Sequence, residues 1–594
     1  MATTVSAGHQ PVTEVPLHAV ADVDKLTAEK RVTEFPEDEK ENPENVEEEF
    51  KQDGVKQVEA ITKVWSKQIL IGMFCFLWLI ELIESLLQSV QGNLIAYITS
   101  SFHKHGLLSS TAIVATIMGG VSRLTIAKII DIWGRVEGFF SMVLLIVLGM
   151  IMKATCKNVE TYAAGHTLFW VGHLGLMYII DIIVADITTL RNRMIIFGIN
   201  STPTICTVFA GPKIAQEFYE NANFRWAFGA FCIILVAFCI PVGALFVVTA
   251  RKAKKMGIWP ERTRNRTYWE SAKYYFFQFD VIGMLLTIAG WSLLLLPFSI
   301  ATYAPNGWAS GYIIAMIVLG VVCLVAFGVW EKWYSPVPYF PFRFLTDRTI
   351  LGACMLYGLM FCSIYCWDSY YQSYLMVVHN ESITISGYVL NSFSLMSSFI
   401  GPFVGIALRY FGKYKWPSMA AVPVMVLGTA LLVHFRKPDS KVNYLVMCQL
   451  FNGLYSGIWA LTAQLAVMSS VNHQEVAVGL ALWGMFGSIG AAIGYAIAGA
   501  IWTNILPAEL AKALPDDMKD QAATIFGDIT VQLSYPMGSP TRDAIIEAYS
   551  VVQHKMVIAG CCFIPVCALC ILMWRDTDIN KRDEESEQAK GNVF

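Results

Sequence analysis

Long apolar runs, each ending in a short polar break, recur along the chain from Trp65 to Trp574. A helix climbs about 1.5 Å per residue, so about 20 mostly apolar residues cross a hydrocarbon core. Fourteen runs meet that length, and the pattern predicts an all-α polytopic membrane protein with fourteen transmembrane helices. The breaks alternate in charge. RKAKKMGIWPERTRNRTYWESAK, LRNR, DRT and RYFGKYK fall in breaks of one parity, whereas YAPNGWASG and HNESITIS carry few or no cations. Cationic loops stay on the cytosolic side, so both termini are expected there, with the Arg436, Lys437 and Lys441 group a minor outer exception. Asn380-Glu381-Ser382 is a glycosylation sequon on the outer side. Asn265-Arg266-Thr267 lies inside and is discounted.

Composition supports the same class. Of 594 residues, 55% are hydrophobic and 15% charged, outside the range of an ordinary soluble domain. The net charge of −3 says little, because the acids gather in two tails, residues 1–64 (EFPEDEKENPENVEEEF) and 576–594. Both tails are polar and poor in aromatics, and are read as disordered and cytosolic. The first sixty residues lack the apolar core of a cleavable signal peptide. The 14 cysteines lie mostly in apolar runs without metal-ligand spacing and are read as buried free thiols. Nothing in the charge pattern asks for nucleic acid, and no nucleotide loop, metal cluster or nucleophile–base signature marks an enzyme.

A weak internal repeat organises the spans. AKIIDIWGR (Ala127–Arg135) follows span two and GIALRYFGK (Gly405–Lys413) follows span ten, matching at a constant offset in small residue, charge, aromatic, Gly and final cation. Spans nine to fourteen would then repeat one to six, with seven and eight an inserted pair. That division gives an N-terminal six-helix bundle over 65–250, the basic loop and inserted pair over 251–346, and a C-terminal bundle over 347–575. Asp131, Gly134 and Arg135 resemble the loop signature of the major facilitator transporters, whose two six-helix halves enclose a central cavity. Arg409 stands where the second copy would carry its acid. AGPKIAQ has the Gly211-Pro212 of an antiporter-type signature without its later glycines.

Longer stretches resemble one family within that superfamily. SVQGNLIAYITSSFHKHGLLSS, ADITTLRNR, FRWAFGAFCII, SYLMVVHNESITISGYVLNSFS and AIAGAIWTNILPAEL are similar to the fungal siderophore–iron transporters, and the likeness runs from Trp65 to Trp574. The resemblance implies proton-coupled import of ferric siderophores in a fourteen-helix major facilitator fold. The family also includes proton-coupled glutathione exporters, so export of glutathione or of a drug stays open, as does a membrane receptor that binds without transporting.

The residues themselves nominate sites. FLWLIELIESLLQSVQG places Glu81, Glu84, Gln88 and Gln91 within an arc of about 80° on span one. A charge at the bilayer centre costs about 2.5–3.5 kcal/mol on insertion scales, so such a stripe faces the bundle interior or a wet cavity. Burial favours the neutral form of a carboxyl group, which suits proton coupling. The alternative is a structural hydrogen bond to a neighbouring helix. The resemblance puts the family's span-one acid at Glu84. Span four adds His173 and Asp181 as further relay candidates, while Asp186 with Arg191 and Arg193 forms a breakable ion pair or a permanent anchor. Lys128, Asp131 and Arg135 read as an inside gate, or as plain positive-inside anchoring.

In YCWDSYYQSYL, Trp367, Tyr371 and Tyr374 follow i, i+4, i+7 spacing with Asp368 and Gln372 beside them. They read either as a lining for a bulky amphipathic chelate or as an interfacial aromatic belt. The 504–554 stretch is expected to be a long outer loop with short amphipathic helices. The resemblance makes it a flap over the entrance, in which Tyr535, Arg542 and Tyr549 would meet substrate. No cofactor is expected, since the chelate envelops its iron. The expected partners are a ferric siderophore of the hydroxamate type, protons and the lipid bilayer. The expected setting is a monomer in the plasma membrane, with an endosomal or vacuolar membrane the alternative.

Overall fold

The computed structural model describes residues 53–101, 108–259, 267–472 and 475–579. The N-terminal tail to residue 52, the Asn265-Arg266 part of the discounted sequon, and the C-terminal tail from residue 580 lie outside the described residues. The described chain is helical with no strand, as a bilayer requires of backbone groups that cannot reach water. Thirteen of its helices are long and apolar enough to cross a membrane. Val442–Met468 occupies the place of the twelfth predicted span. This helix of 27 residues carries Gln449, Asn452, Ser456 and Gln464 buried along its length, which lowers its hydropathy without shortening it.

The spans run up and down in chain order. Span one is Lys67–Ser100, span two Leu108–Ile132, span three Arg135–Thr155 and span four Val159–Asp186. Span five bends between Leu190–Asn200 and Pro203–Asn221, with Pro203 opening the second part, and span six is Phe224–Lys255. Val281–Leu295 and Gly311–Val329 form the inserted pair, packed on each other, with Val281–Leu295 also against span two. Span nine breaks into Arg348–Asp368 and Tyr371–Val378. Spans ten, eleven and thirteen are Ile383–Phe411, Lys415–Phe435 and Val476–Ala513, and Pro540–Cys561 with Ile564–Leu572 makes span fourteen. Small residues let backbones touch, as in other membrane bundles. A methyl group on Gly490 would lie 1.9 Å from the Gly358 carbonyl oxygen, and one on Gly149 2.4 Å from the Phe169 nitrogen.

The repeat is visible in the backbone. Gly134 and Gly412 occupy matching loop positions, and both have positive φ, at 118° and 66°, where a side chain would be strained. The copies differ in charge as read from sequence: Asp131 is buried, whereas Arg409 is exposed.

Two segments depart from expectation. Residues 53–64, assigned to a disordered tail, form the helix Asp53–Val64. Its apolar face, Ala60, Ile61 and Val64, is buried against span six and the end of span two, so this part of the tail belongs to the N-terminal bundle. The outer connection expected over 504–554 is shorter. Span thirteen stays helical to Ala513 and span fourteen starts at Pro540, leaving three short helical pieces, Asp516–Gln521, Ala522–Gly527 and Ile529–Ser534, between them. LPAELAKA continues the long helix instead of starting a new one. At the other terminus the Ile579 N–H bonds the Gly412 carbonyl at 2.8 Å.

Candidate functional site

A cavity of about 180 Å³ lies between the two halves. Spans one, two and four supply Gln88, Gln91, Thr116, His166 and Trp170 to its wall, and span nine and its break supply Tyr365, Asp368, Ser369 and Gln372. Of the residues nominated from sequence, Gln88, Gln91, Asp368 and Gln372 therefore meet in one place. The Gln88 Nε2 is buried without a partner. Gln372 donates to the Asn93 carbonyl and side-chain oxygens at 3.2 and 3.0 Å, tying span nine to span one.

Behind the Gln91 wall stands a lysine that no sequence motif marks. Lys153, at the end of span three, is fully buried and donates to the Gln91 side-chain oxygen. Its ammonium lies 4.3 Å from the Phe169 ring centre and 4.2 Å from that of Phe228, an attraction between a cation and the faces of aromatic rings. Gln91 then turns its amide nitrogen towards His166 Nδ1 at 3.4 Å. The C-terminal half repeats the device with Arg436, past the end of span eleven. It donates to the Trp367 carbonyl and to Gln553 (3.3 Å), and its guanidinium carbon lies 3.7 Å from the centre of the Tyr371 ring.

That contact corrects the aromatic face proposed for span nine. Trp367, Tyr371 and Tyr374 are fully buried, with Trp367 and Tyr371 gathered around Arg436, and none of the three lines the cavity. Spacing of i, i+4, i+7 assumes one continuous helix. Span nine breaks at Ser369–Tyr370, yet Trp367 and Tyr371 still share a side, the one turned to Arg436, while Asp368 and Gln372 take the cavity side.

From the cavity a string of polar groups runs through the N-terminal half. Glu84 is fully buried, accepts from His173 Nδ1 at 2.9 Å through one oxygen, and leaves the other without a partner. His173 stacks on Phe169 at 5.9 Å. Glu81 has Asp181 and Glu84 as electrostatic neighbours, and Asp181 in turn has Arg123. Arg123, which no sequence motif marks either, lays its guanidinium on Gly484 of span thirteen, where a methyl group would come within 1.9 Å.

Further along, Arg135 bonds Asp131 at 2.8 Å and Asp186 at 3.2 Å, with all three side chains largely buried. Asp186 thus takes Arg135 as its ion partner. Arg193 turns its fork to the Ala185 and Thr188 carbonyls at 2.9 and 3.1 Å, and Arg191 is exposed. Lys128 points elsewhere, to the Pro338 carbonyl at 3.0 Å.

Both ends of the cavity are shut. At the Arg135 end the Tyr178 hydroxyl donates to the Ala477 carbonyl at 2.6 Å, and Gly198 meets Gly401 backbone to backbone. At the opposite end Tyr97 packs tilted against Tyr219, ring centres 4.2 Å apart, and reaches the Met376 sulfur at 3.4 Å. There the Ile529 N–H bonds Ser100 at 3.2 Å, so the outer connection does close over the bundle. Its nominated contacts are corrected in part. Arg542 is fully buried, donating to the carbonyls of Val377 (3.1 Å) and Tyr535 (3.4 Å) and also to that of Gln532. Tyr549 is fully buried and donates to Gln532 at 2.5 Å. Those donors are used within the fold and are not offered to a substrate. Tyr535 is half-buried and donates to Gln521 at 3.2 Å. Asn380 is exposed, in a left-handed conformation with φ of 54° that Asn tolerates.

Two six-helix halves around a cavity shut at both ends, with a polar string reaching it through one half, define a secondary transporter of the major facilitator fold. Solved structures share that fold: a bacterial homologue of the human lysosomal transporter Spinster (TM-score 0.52, 12% identity, covering 86% of this chain and 98% of that one) and a peptide transporter POT bound to sulfate (0.51, 15%, 84% and 99%). Residues 86–501 match the family described as fungal trichothecene efflux pump (TRI12). An MFS siderochrome iron transporter 1 of Ajellomyces capsulatus is 51% identical, covering 91% of this chain and 94% of that protein. The siderophore iron transporter mirB of Emericella nidulans is 41% identical over 98% and 97%, and siderophore iron transporter 1 of Schizosaccharomyces pombe 36% over 80% and 78%. The chain belongs to the fungal siderophore transporter family of the major facilitator superfamily. It is a multi-pass membrane transporter and not an enzyme.

Proposed function

We propose that the protein imports ferric siderophores of the hydroxamate type, driven by protons and working by alternating access. The observation that carries this reading is the amide-lined cavity between the halves, with the buried Glu84–His173 pair about one turn along span one from Gln88. An amide-rich wall suits the carbonyl-rich outside of a hydroxamate chelate, and relatives at 51% and 41% identity are named as siderochrome and siderophore iron transporters. Ligand pockets commonly hold about 300–1,000 Å³, so a cavity of about 180 Å³ must widen before a chelate enters. Rocking of one half against the other supplies that change.

In this reading Glu84 takes a proton on the outer side and passes it towards Glu81, Asp181 and the Arg135 end. Protonation removes a buried charge whose only bonded partner is His173. The Arg135 end faces the cytosol, because the basic loops lie there, which puts Tyr97 and the outer connection outside. The Asp131–Arg135–Asp186 cluster lies wholly within the N-terminal half, so it sets the shape of that half's inner rim. The crossing contacts Tyr178–Ala477 and Gly198–Gly401 then shut the inner gate. The chelate keeps its iron enclosed and asks no metal ligand of the protein, which works as a monomer in the plasma membrane.

The match to an efflux family favours a second reading, export of a bulky organic molecule from the same cavity. Uptake of a radiolabelled ferric hydroxamate into cells lacking their own carrier, with labelled glutathione as control, separates the two. Import of the hydroxamate supports the first reading. Loss of preloaded compound without import of the chelate overturns it.

A further inference from the structure

The inserted helix pair holds a buried acidic site that the transport reading does not use. Asp280 caps the helix Val281–Leu295 in a left-handed conformation with φ of 43° and is buried. Its carboxylate accepts from the Gly283 N–H at 3.1 Å, the Trp330 indole at 2.8 Å and the Ser335 hydroxyl at 3.2 Å. Glu331, on the turn Trp330–Tyr334, is 5% exposed. Its Oε1 accepts the N–H groups of Tyr339 and Phe340, both at 3.1 Å, while Oε2 is buried and meets no donor. The two carboxylates crowd the same spot: a methyl group on Gly283 would lie 2.4 Å from Asp280 Oδ2 and 3.2 Å from Glu331 Oε1. The charged or titratable groups facing them from neighbouring elements are Lys128 of span two and the phenol of Tyr339. Lys332, next to Glu331, is exposed.

Two buried acids against one lysine leave a charge uncompensated, and like charges at such range do not both ionise. We propose that Glu331, buried beside the Asp280 carboxylate, is a second proton-binding site, separate from the central cavity, whose proton pins the 335–341 strap between the two halves. The proton rides on Glu331 Oε2, the buried atom without a donor. The strap is what the site holds. Glu331 bonds its N–H groups, Lys128 bonds the Pro338 carbonyl, and Tyr339 lodges between the Val121 carbonyl of span two and the Met485 sulfur of span thirteen. Loss of the proton to the solution at the Arg135 end sets two carboxylates against each other, drives Glu331 off the strap and frees Tyr339 from the seam. Alkalinity on that side thus loosens the seam, and acidity locks it.

The test needs no substrate. Phe340→Cys, buried beside the strap's bonded N–H groups, is labelled by a thiol reagent in membrane vesicles across a range of pH and quantified peptide by peptide. The same reporter is placed in a Glu331→Gln background. There the amide keeps an acceptor for the strap, offers an N–H to Asp280 and carries no titrating proton. The expected result is labelling that rises several-fold more steeply with pH when Glu331 is present than in the Gln background, where it follows thiol ionisation alone. Identical pH courses in the two backgrounds, or a strap looser in the Gln variant at acid pH, overturn the proposal. Should Phe340→Cys fail to reach the membrane, Val337→Cys reports on the same strap by the same comparison.

Discussion

Gly198→Ala and Gly405→Ala should wedge open the Arg135 end of the bundle. Span five and span ten touch there without side chains between them. A methyl group on Gly198 would fall 2.7 Å from the Gly401 carbonyl carbon and the Pro402 nitrogen, and one on Gly405 2.6 Å from the Met194 carbonyl oxygen. These neighbours are backbone atoms, which cannot swing aside as the tip of a side chain would, so the helices must part. Forcing extra methylenes into a packed interior costs about 1–3 kcal/mol. The open conformer does not bear that cost, so the closed-to-open ratio should fall by roughly 5–150-fold. An Ala477→Cys reporter, buried under the Tyr178 hydroxyl in the closed form, reads the change through its labelling rate with an impermeant thiol reagent. Gly229→Ala is the control, because its methyl group would meet nothing within 4 Å. Labelling of the reporter that is equal in the Gly198→Ala, Gly229→Ala and parent proteins, all delivered to the membrane, would refute the idea that this glycine contact holds the end shut.

Three further outcomes are expected. Glu84→Gln should bind chelate but lose the acceleration of uptake by external acid, because the amide cannot titrate; an unchanged pH profile of initial rates removes Glu84 from the coupling route. Arg542→Ala should reduce membrane abundance and thermal stability without altering the apparent Km of the protein that survives. It strands carbonyls whose burial costs about 1–3 kcal/mol each, and a raised Km at normal stability would restore the residue to the substrate path. Lys153→Met should keep its melting temperature near the parent's, since an apolar chain fits the aromatic cage and replacing buried ions is often neutral. It should still raise Km by releasing Gln91, and an unaltered Km alongside normal stability would make the lysine structural only.

The fold was largely legible because a bilayer imposes a length and a polarity on each crossing helix, and thirteen of the fourteen runs display both among the described residues. The span-one stripe was legible for the same reason: Glu84, Gln88 and Gln91 are too costly to face lipid, and all three point inward. Tertiary partnerships were not legible. Lys153 occupies the last turn of its helix, where a lysine ordinarily reaches for the interface, and only the approach of Gln91, Phe169 and Phe228 from three other spans makes it an interior cation. Arg542 looked available because its neighbours in sequence do not satisfy it; its acceptors include the end of span nine, far away in the chain. Spacing grouped Trp367 with Tyr371 but could not say which way that side turns, and the approach of Arg436 claims it for the protein interior. Helix Asp53–Val64 was hidden by the acidic segment before it, although its own apolar positions repeat at helical spacing.

The most direct test of the whole account is a doubly labelled uptake assay in proteoliposomes, with radioiron in a carbon-labelled hydroxamate chelator and an imposed gradient acid on the outside. The account predicts that both labels enter together in the proportion of the intact complex, accumulate above the external concentration, and stop accumulating when a protonophore collapses the gradient. Entry of iron without its chelator, or accumulation indifferent to the gradient, would contradict it.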